Sequence, residues 1–98
     1  MSEFEWDPEK AEANREKHGI SFEEAVELFD SNLPILERYD SEHSEDEDRY
    51  SSIGLILRGI VVVVWTERAD EVVRVISARP ATRPERELYR EFAERWQA

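Results

Sequence analysis

The period of apolar and polar positions changes several times along the chain, and each change marks an element. Phe4-Glu5-Trp6 alternates and predicts a short strand. Asp7-Pro8 then offers a helix start. Asp7 can accept from the free first-turn amides, and Pro8 loses nothing where an N–H would be unpaired anyway. This helix should run from Pro8 to His18 and stop at Gly19, which tolerates the left-handed conformation. Ser21 and Glu24 have capping-box spacing. Phe22, Ala25, Val26 and Phe29 recur on one helical face, so a second helix is expected over Phe22–Asp30.

From Leu33 the period is two. Strands are predicted over Leu33–Tyr39, Arg49–Arg58, Ile60–Thr66 and Val72–Ala78, with turns at Arg58-Gly59 and Glu67–Asp70. The unbroken apolar run from Ile60 predicts a central strand covered on both faces. Asp40–Asp48 holds six acidic residues in nine, which predicts a mobile, solvated loop. Thr82 and Glu85 repeat the capping box and open a last helix, Arg83–Trp96. Leu88, Phe92 and Trp96 should form its buried stripe, with Tyr89 alongside. The short connections between the last four strands force antiparallel pairing. The expected fold class is α+β: a small single domain over residues 1–98, an antiparallel β-sheet meander with two N-terminal helices and one C-terminal helix.

Composition narrows the chemistry. The 98 residues include no Cys, which removes disulfides, thiol nucleophiles and thiolate metal sites. The longest apolar run, Ile60–Trp65, is too short to span a membrane. Met1–Asp7 has neither the basic nor the apolar region of a signal peptide, so a cytoplasmic location is expected. The net charge of −11 argues against a nucleic-acid binder, but the charge is unevenly spread. Residues 1–48 carry four basic and 17 acidic side chains, residues 49–98 nine and seven, and all nine are Arg. A local site for phosphate or carboxylate is compatible with that second half. The acidic first half could instead attract a basic protein partner.

HExxH, P-loop and GxGxxG signatures are missing, and His18 and His43 lack metal-ligand spacing, so no metal or cofactor is expected. The acidic loop resembles a calcium loop only in charge, since it lacks the turn glycine of an EF-hand. Three basic elements remain. Lys17-His18 reads either as a helix end matched to the dipole or as a general acid–base group at a turn. Arg49 and Arg74 on strands read either as surface partners of carboxylates or as anion ligands. Arg79 and Arg83 flank a helix start that favours an anion. On a regular strand Arg74 and Arg79 would face opposite ways. They converge only if the strand twists, bulges or ends between them.

Two motifs at matching spacing resemble a known family. Phe4-Glu5-Trp6-Asp7, Lys10-Ala11, Asn14, Lys17-His18-Gly19-Ile20, Phe22-Glu23 and Ala25 resemble the N-terminal signature of the BrnT toxins. Arg49-Tyr50, Ile53-Gly54, Arg74, Ile76-Ser77-Ala78-Arg79, Ala81-Thr82, Glu85 and Tyr89 resemble its second half. The resemblance implies a fold similar to the RelE ribonucleases and a type II toxin–antitoxin operon. It implies a BrnA-like ribbon-helix-helix antitoxin in a heterotetramer of two toxins and two antitoxins, with operator DNA contacted through the antitoxin. The implied activity is metal-independent cleavage of RNA that arrests growth. Arg49, Arg74 and Arg79 are then expected around the phosphate, His18 as a proton carrier, and Lys17 and Arg83 as further substrate-binding cations. The alternative is a catalytically inactive domain that binds an antitoxin.

Overall fold

The computed structural model of the chain describes residues 3–96; Met1 and Ser2 of the N-terminal stretch lie outside it. The elements are β1 (Glu3–Glu5), α1 (Pro8–His18), α2 (Phe22–Ala25), α3 (Glu27–Asp30), β2 (Ile35–Tyr39), β3 (Arg49–Ile56), β4 (Gly59–Arg68), β5 (Val72–Pro80) and α4 (Arg83–Arg95). The strands form one sheet in the order β1-β5-β4-β3-β2. β2 to β5 are an antiparallel meander, as their short connections require. β1 joins the edge beside β5 in parallel, reached through the helical excursion between them.

Helix starts follow the sequence closely. The Asp7 side chain accepts from the Glu9 N–H at 2.9 Å, and Pro8 occupies the first turn. Gly19 closes α1 at φ 74°, a backbone region that an L side chain rarely enters. Ser21 with Glu24, and Thr82 with Glu85, form reciprocal capping boxes. The second helix expected over Phe22–Asp30 is instead broken at Val26 into two single turns. The reason lies in which residues are buried. Phe22, Ala25 and Leu28 are fully buried at a spacing of three. A straight α-helix rotates such a repeat off its face, so the chain tightens at Val26 and the Phe29 N–H reaches back only three residues, to the Val26 carbonyl.

β4 carries apolar side chains on both faces, as its continuous run predicts. Val61, Val63 and Trp65 face the main core with Phe22, Ala25, Leu28, Val75 and Ala78. Val62 faces a smaller core with Ile53, Ala81 and Tyr89 beneath α4. Burying a large side chain such as Phe22 or Leu28 contributes about 1.5–3 kcal/mol. The polar groups of the main core are paired: Trp65 Nε1 donates to Ser52 Oγ at 2.8 Å. Gly54 admits Leu28, whose Cβ would lie 3.2 Å from a Cβ placed there.

One expectation is corrected. α4 does not bury Leu88, Phe92 and Trp96. The residues it turns to the sheet are Tyr89 and Ala93, while Leu88 and Trp96 stay 40% exposed and border an open apolar groove with Leu36 and Phe92. The Tyr89 hydroxyl donates to the Pro34 carbonyl at 2.8 Å, which fixes that rotation of the helix. The acidic loop is also more structured than its charge suggests. It contains a 3₁₀ turn at Ser41–His43. Ser44 Oγ donates to the Asp40 carbonyl and accepts from the Arg49 N–H, and Tyr39 and Thr66 hydroxyls donate to Asp48. Backbone and hydroxyl bonds thus hold what charge repulsion alone would spread.

Candidate nucleic-acid interface

Arg74 and Arg79 share a face because β5 bulges. Val64 pairs with Ser77, but the next residue, Trp65, pairs with Val75, so Ile76 is an extra residue without an opposite number. One inserted residue reverses the alternation beyond it. Arg74, opposite Thr66, and Arg79, opposite Val62, therefore lie on the same face of the sheet although their numbers differ in parity. Arg49 is also opposite Thr66, from β3, and joins them. This is the face whose far end is covered by α4 through Val62, Ile53 and Tyr89. Beyond the helix Thr66 stays buried, and the face opens at Arg38, Ser51 and Val64.

Each arginine is held by its own chain. Arg79 forms a two-pronged pair with Glu85, at 2.6 and 2.9 Å. Glu85 simultaneously accepts from the Thr82 N–H at 2.8 Å, so one carboxylate caps α4 and fixes Arg79. Arg79 beside it holds the Glu85 carboxyl down at about 2, against the opposing effect of burial. Arg74 pairs with Glu5 of β1 at 3.2 Å. Arg49 lies 3.8 Å from Glu47, and its Nε is buried with no hydrogen-bond partner among the described residues. Such a donor is costly to leave unpaired.

Behind Arg79 stands Asn14. Its amide donates to the Ala78 carbonyl at 2.8 Å and to the Ile20 carbonyl, and its oxygen accepts from the Ala78 N–H at 3.1 Å. A side chain thus supplies the ladder bonds that the short β1 does not extend to give, and it ties α1 to the strand that carries Arg79. Glu5, Glu85 and Asn14 were not among the residues that the sequence nominated for the site. Capping already accounted for Glu85, and only the tertiary contact reveals its second bond.

A groove of about 310 Å³ opens on this face, with Arg38, Ser51, Val64, Arg79 and Glu85 on its walls and floor. The remaining nominated cations lie elsewhere. Arg83 is exposed on the first turn of α4 and pairs with Glu87 at 3.4 Å. Lys17 and His18 end α1, in the layer on the opposite side of the sheet, and do not line the groove. Arg79 and Arg38 line the groove, while Arg49 and Arg74 share its face at Thr66, four positions along β4 from Val62; no imidazole is among them.

Comparison with known proteins identifies a family. The chain is similar to the crystal structure of the Brucella abortus ribonuclease toxin BrnT. The TM-score is 0.62 and the identity 26%, over 85% of this chain and 100% of that one. A comparison with curated proteins returned no match. A family model described as the ribonuclease toxin BrnT of type II toxin–antitoxin systems matches residues 6–85, from Trp6 through β5 to Glu85. The chain therefore belongs to the BrnT family of ribonuclease toxins of type II toxin–antitoxin systems.

Proposed function

We propose that the chain is an endoribonuclease toxin of a single domain, residues 1–98, with a RelE-like fold, acting in the cytoplasm without metal. The RNA 2′-hydroxyl attacks the adjacent phosphorus and the 5′-oxygen leaves. Arg49, Arg74 and Arg79 hold the phosphate and stabilise its added charge through preorganised donors. The observation that carries this reading is the bulge at Ile76, which turns Arg74 and Arg79 to one face. Their anchoring by Glu5 and Glu85 keeps the donors oriented before substrate arrives. Arg83 serves as an outer cation at the start of α4. Lys17 and His18 serve a strand of RNA that continues over the β5 edge, where Asn14, one turn before His18, bonds Ala78. His18 ends α1 on the other side of the sheet from the phosphate held by the arginines, so it moves no proton there; solvent takes the 2′-hydroxyl proton and returns one to the leaving 5′-oxygen.

The proposed partner is a BrnA-like ribbon-helix-helix antitoxin, two copies with two toxins, that carries the complex to operator DNA. The acidic surface of this chain complements a basic DNA-binding protein. Inducing the chain alone in bacteria, and again with such an antitoxin, tests the reading. Growth arrest with loss of RNA, reversed by the antitoxin, is expected. A soluble product that neither arrests growth nor degrades RNA would favour a second reading, an inactive antitoxin-binding domain. One observation favours that alternative: Arg74 and Arg79 are already neutralised by carboxylates of their own chain.

A further inference from the structure

Arg38 belongs to none of the motifs above, yet the register places it on the arginine face. On that face the strands contribute side chains in rows. Arg79, Val62, Ile53 and Leu36 form one row from β5 to β2. Ser77, Val64, Ser51 and Arg38 form the next. Arg74, Thr66 and Arg49 form the third. Arg38 thus ends the middle row, between the two rows that carry the other three arginines. Two features set it apart. It is exposed, and among the described residues it makes no ion pair or side-chain hydrogen bond, whereas Arg49, Arg74 and Arg79 each face a carboxylate. It also lies in the wall of the same groove as Arg79 and Ser51.

We infer that Arg38 is a substrate-contacting residue, the outer phosphate anchor for a single-stranded RNA that crosses the sheet from β5 to β2. The inference rests on the ribonuclease reading above. Three strand spacings separate β5 from β2, a span of about 14 Å. An RNA strand that takes this path brings a later phosphate to β2, so Arg38 meets a different phosphate from the one at Arg79. Between them the floor offers Ser77 and Ser51 hydroxyls and the apolar Val64, a surface that a flexible strand can follow. The carboxylates beside the other arginines must yield or share when phosphate enters. Arg38 gives up no described ion pair, so its contribution to affinity is undiluted.

The test is binding of 2′-O-methyl RNA, which lacks the attacking hydroxyl and is held without being cut. A dinucleotide and an octanucleotide are each titrated across a salt series into the wild type, Arg38→Ala, Arg38→Lys and Arg79→Ala. Arg38→Ala should weaken the octanucleotide and lower its salt slope by about 0.7, the loss of one phosphate contact on a single strand. It should leave the dinucleotide unchanged, and Arg38→Lys should restore the slope. Arg79→Ala should weaken both ligands. If Arg38→Ala binds both ligands as the wild type does while Arg79→Ala fails, the role of Arg38 is overturned and the ribonuclease reading stands. Equal weakening of both ligands by Arg38→Ala would overturn the separate anchor in favour of a general field effect. A wild type that binds neither ligand at any salt would overturn both.

Discussion

Arg74 and Arg79, five residues apart on β5, present their side chains on the same side of the sheet because Ile76 is inserted between them. The inserted residue puts on one face two arginines that regular alternation would separate. If this face is the catalytic one, removing either arginine should lower RNA cleavage about 100- to 1000-fold, the usual effect of losing one oriented donor to a developing charge. Arg74→Ala and Arg79→Ala, checked for an unchanged fold by circular dichroism, provide the measurement. His18→Ala, assayed beside them, should cleave as the wild type does, since α1 lies on the other side of the sheet; loss of cleavage would bring the α1 end into the reaction.

The bond between Asn14 and Ala78 makes a stability prediction. Asn14→Ala leaves the Ala78 N–H and carbonyl and the Ile20 carbonyl without their side-chain partner. Each buried group left unpaired costs about 1–3 kcal/mol, so a loss of that order or somewhat more is expected in urea unfolding. Asn14→Asp keeps the acceptor but not the donors, and should recover only part of it.

Gly54 gives a sharper steric test. A Cβ there would sit 3.2 Å from the Cβ of fully buried Leu28. Gly54→Val should destabilise by about 1–3 kcal/mol through overpacking. Gly54→Val combined with Leu28→Ala should recover part of the loss, which thermal unfolding of the pair would show.

The Arg79–Glu85 pair predicts a pH dependence. The carboxyl of Glu85 titrates at about 2 in the folded chain and near 4.5 in its ordinary state. A lowered folded value means that the pair's contribution is full above pH 4.5. It falls away as the pH drops from 4.5 towards 2. Glu85 is mostly buried but Arg79 is 38% exposed, so solvent reduces the contribution to ~2 kcal/mol. Glu85→Gln keeps the capping geometry and should flatten stability across that acid range by this amount.

Local signals accounted for most of the fold. Asp7, Gly19, Ser21, Thr82 and Glu85 act within a few residues of themselves, and the elements that they start or stop are where the sequence puts them. What depended on distant partners was less legible. Nothing near Leu88 or Phe92 says that the Tyr89 hydroxyl will bond Pro34 and rotate α4. The parallel place of β1 beside β5 is likewise decided across the whole chain. For the site, the sequence named Arg49, Arg74 and Arg79 and the condition for their convergence. It did not contain the bulge itself, since Ile76 is an ordinary strand residue, and Arg38 acquires its significance only from the register of β2 on β3.

The most direct test of the arginine face as a ribonuclease site uses purified protein and end-labelled single-stranded RNA, at low salt with a metal chelator present. Wild type, the double variant Arg74→Ala/Arg79→Ala and a control, Arg15→Ala on the exposed side of α1, are compared. Cleavage by the wild type and the control, and none by the folded double variant, is the predicted result. Equal cleavage by all three would contradict the account.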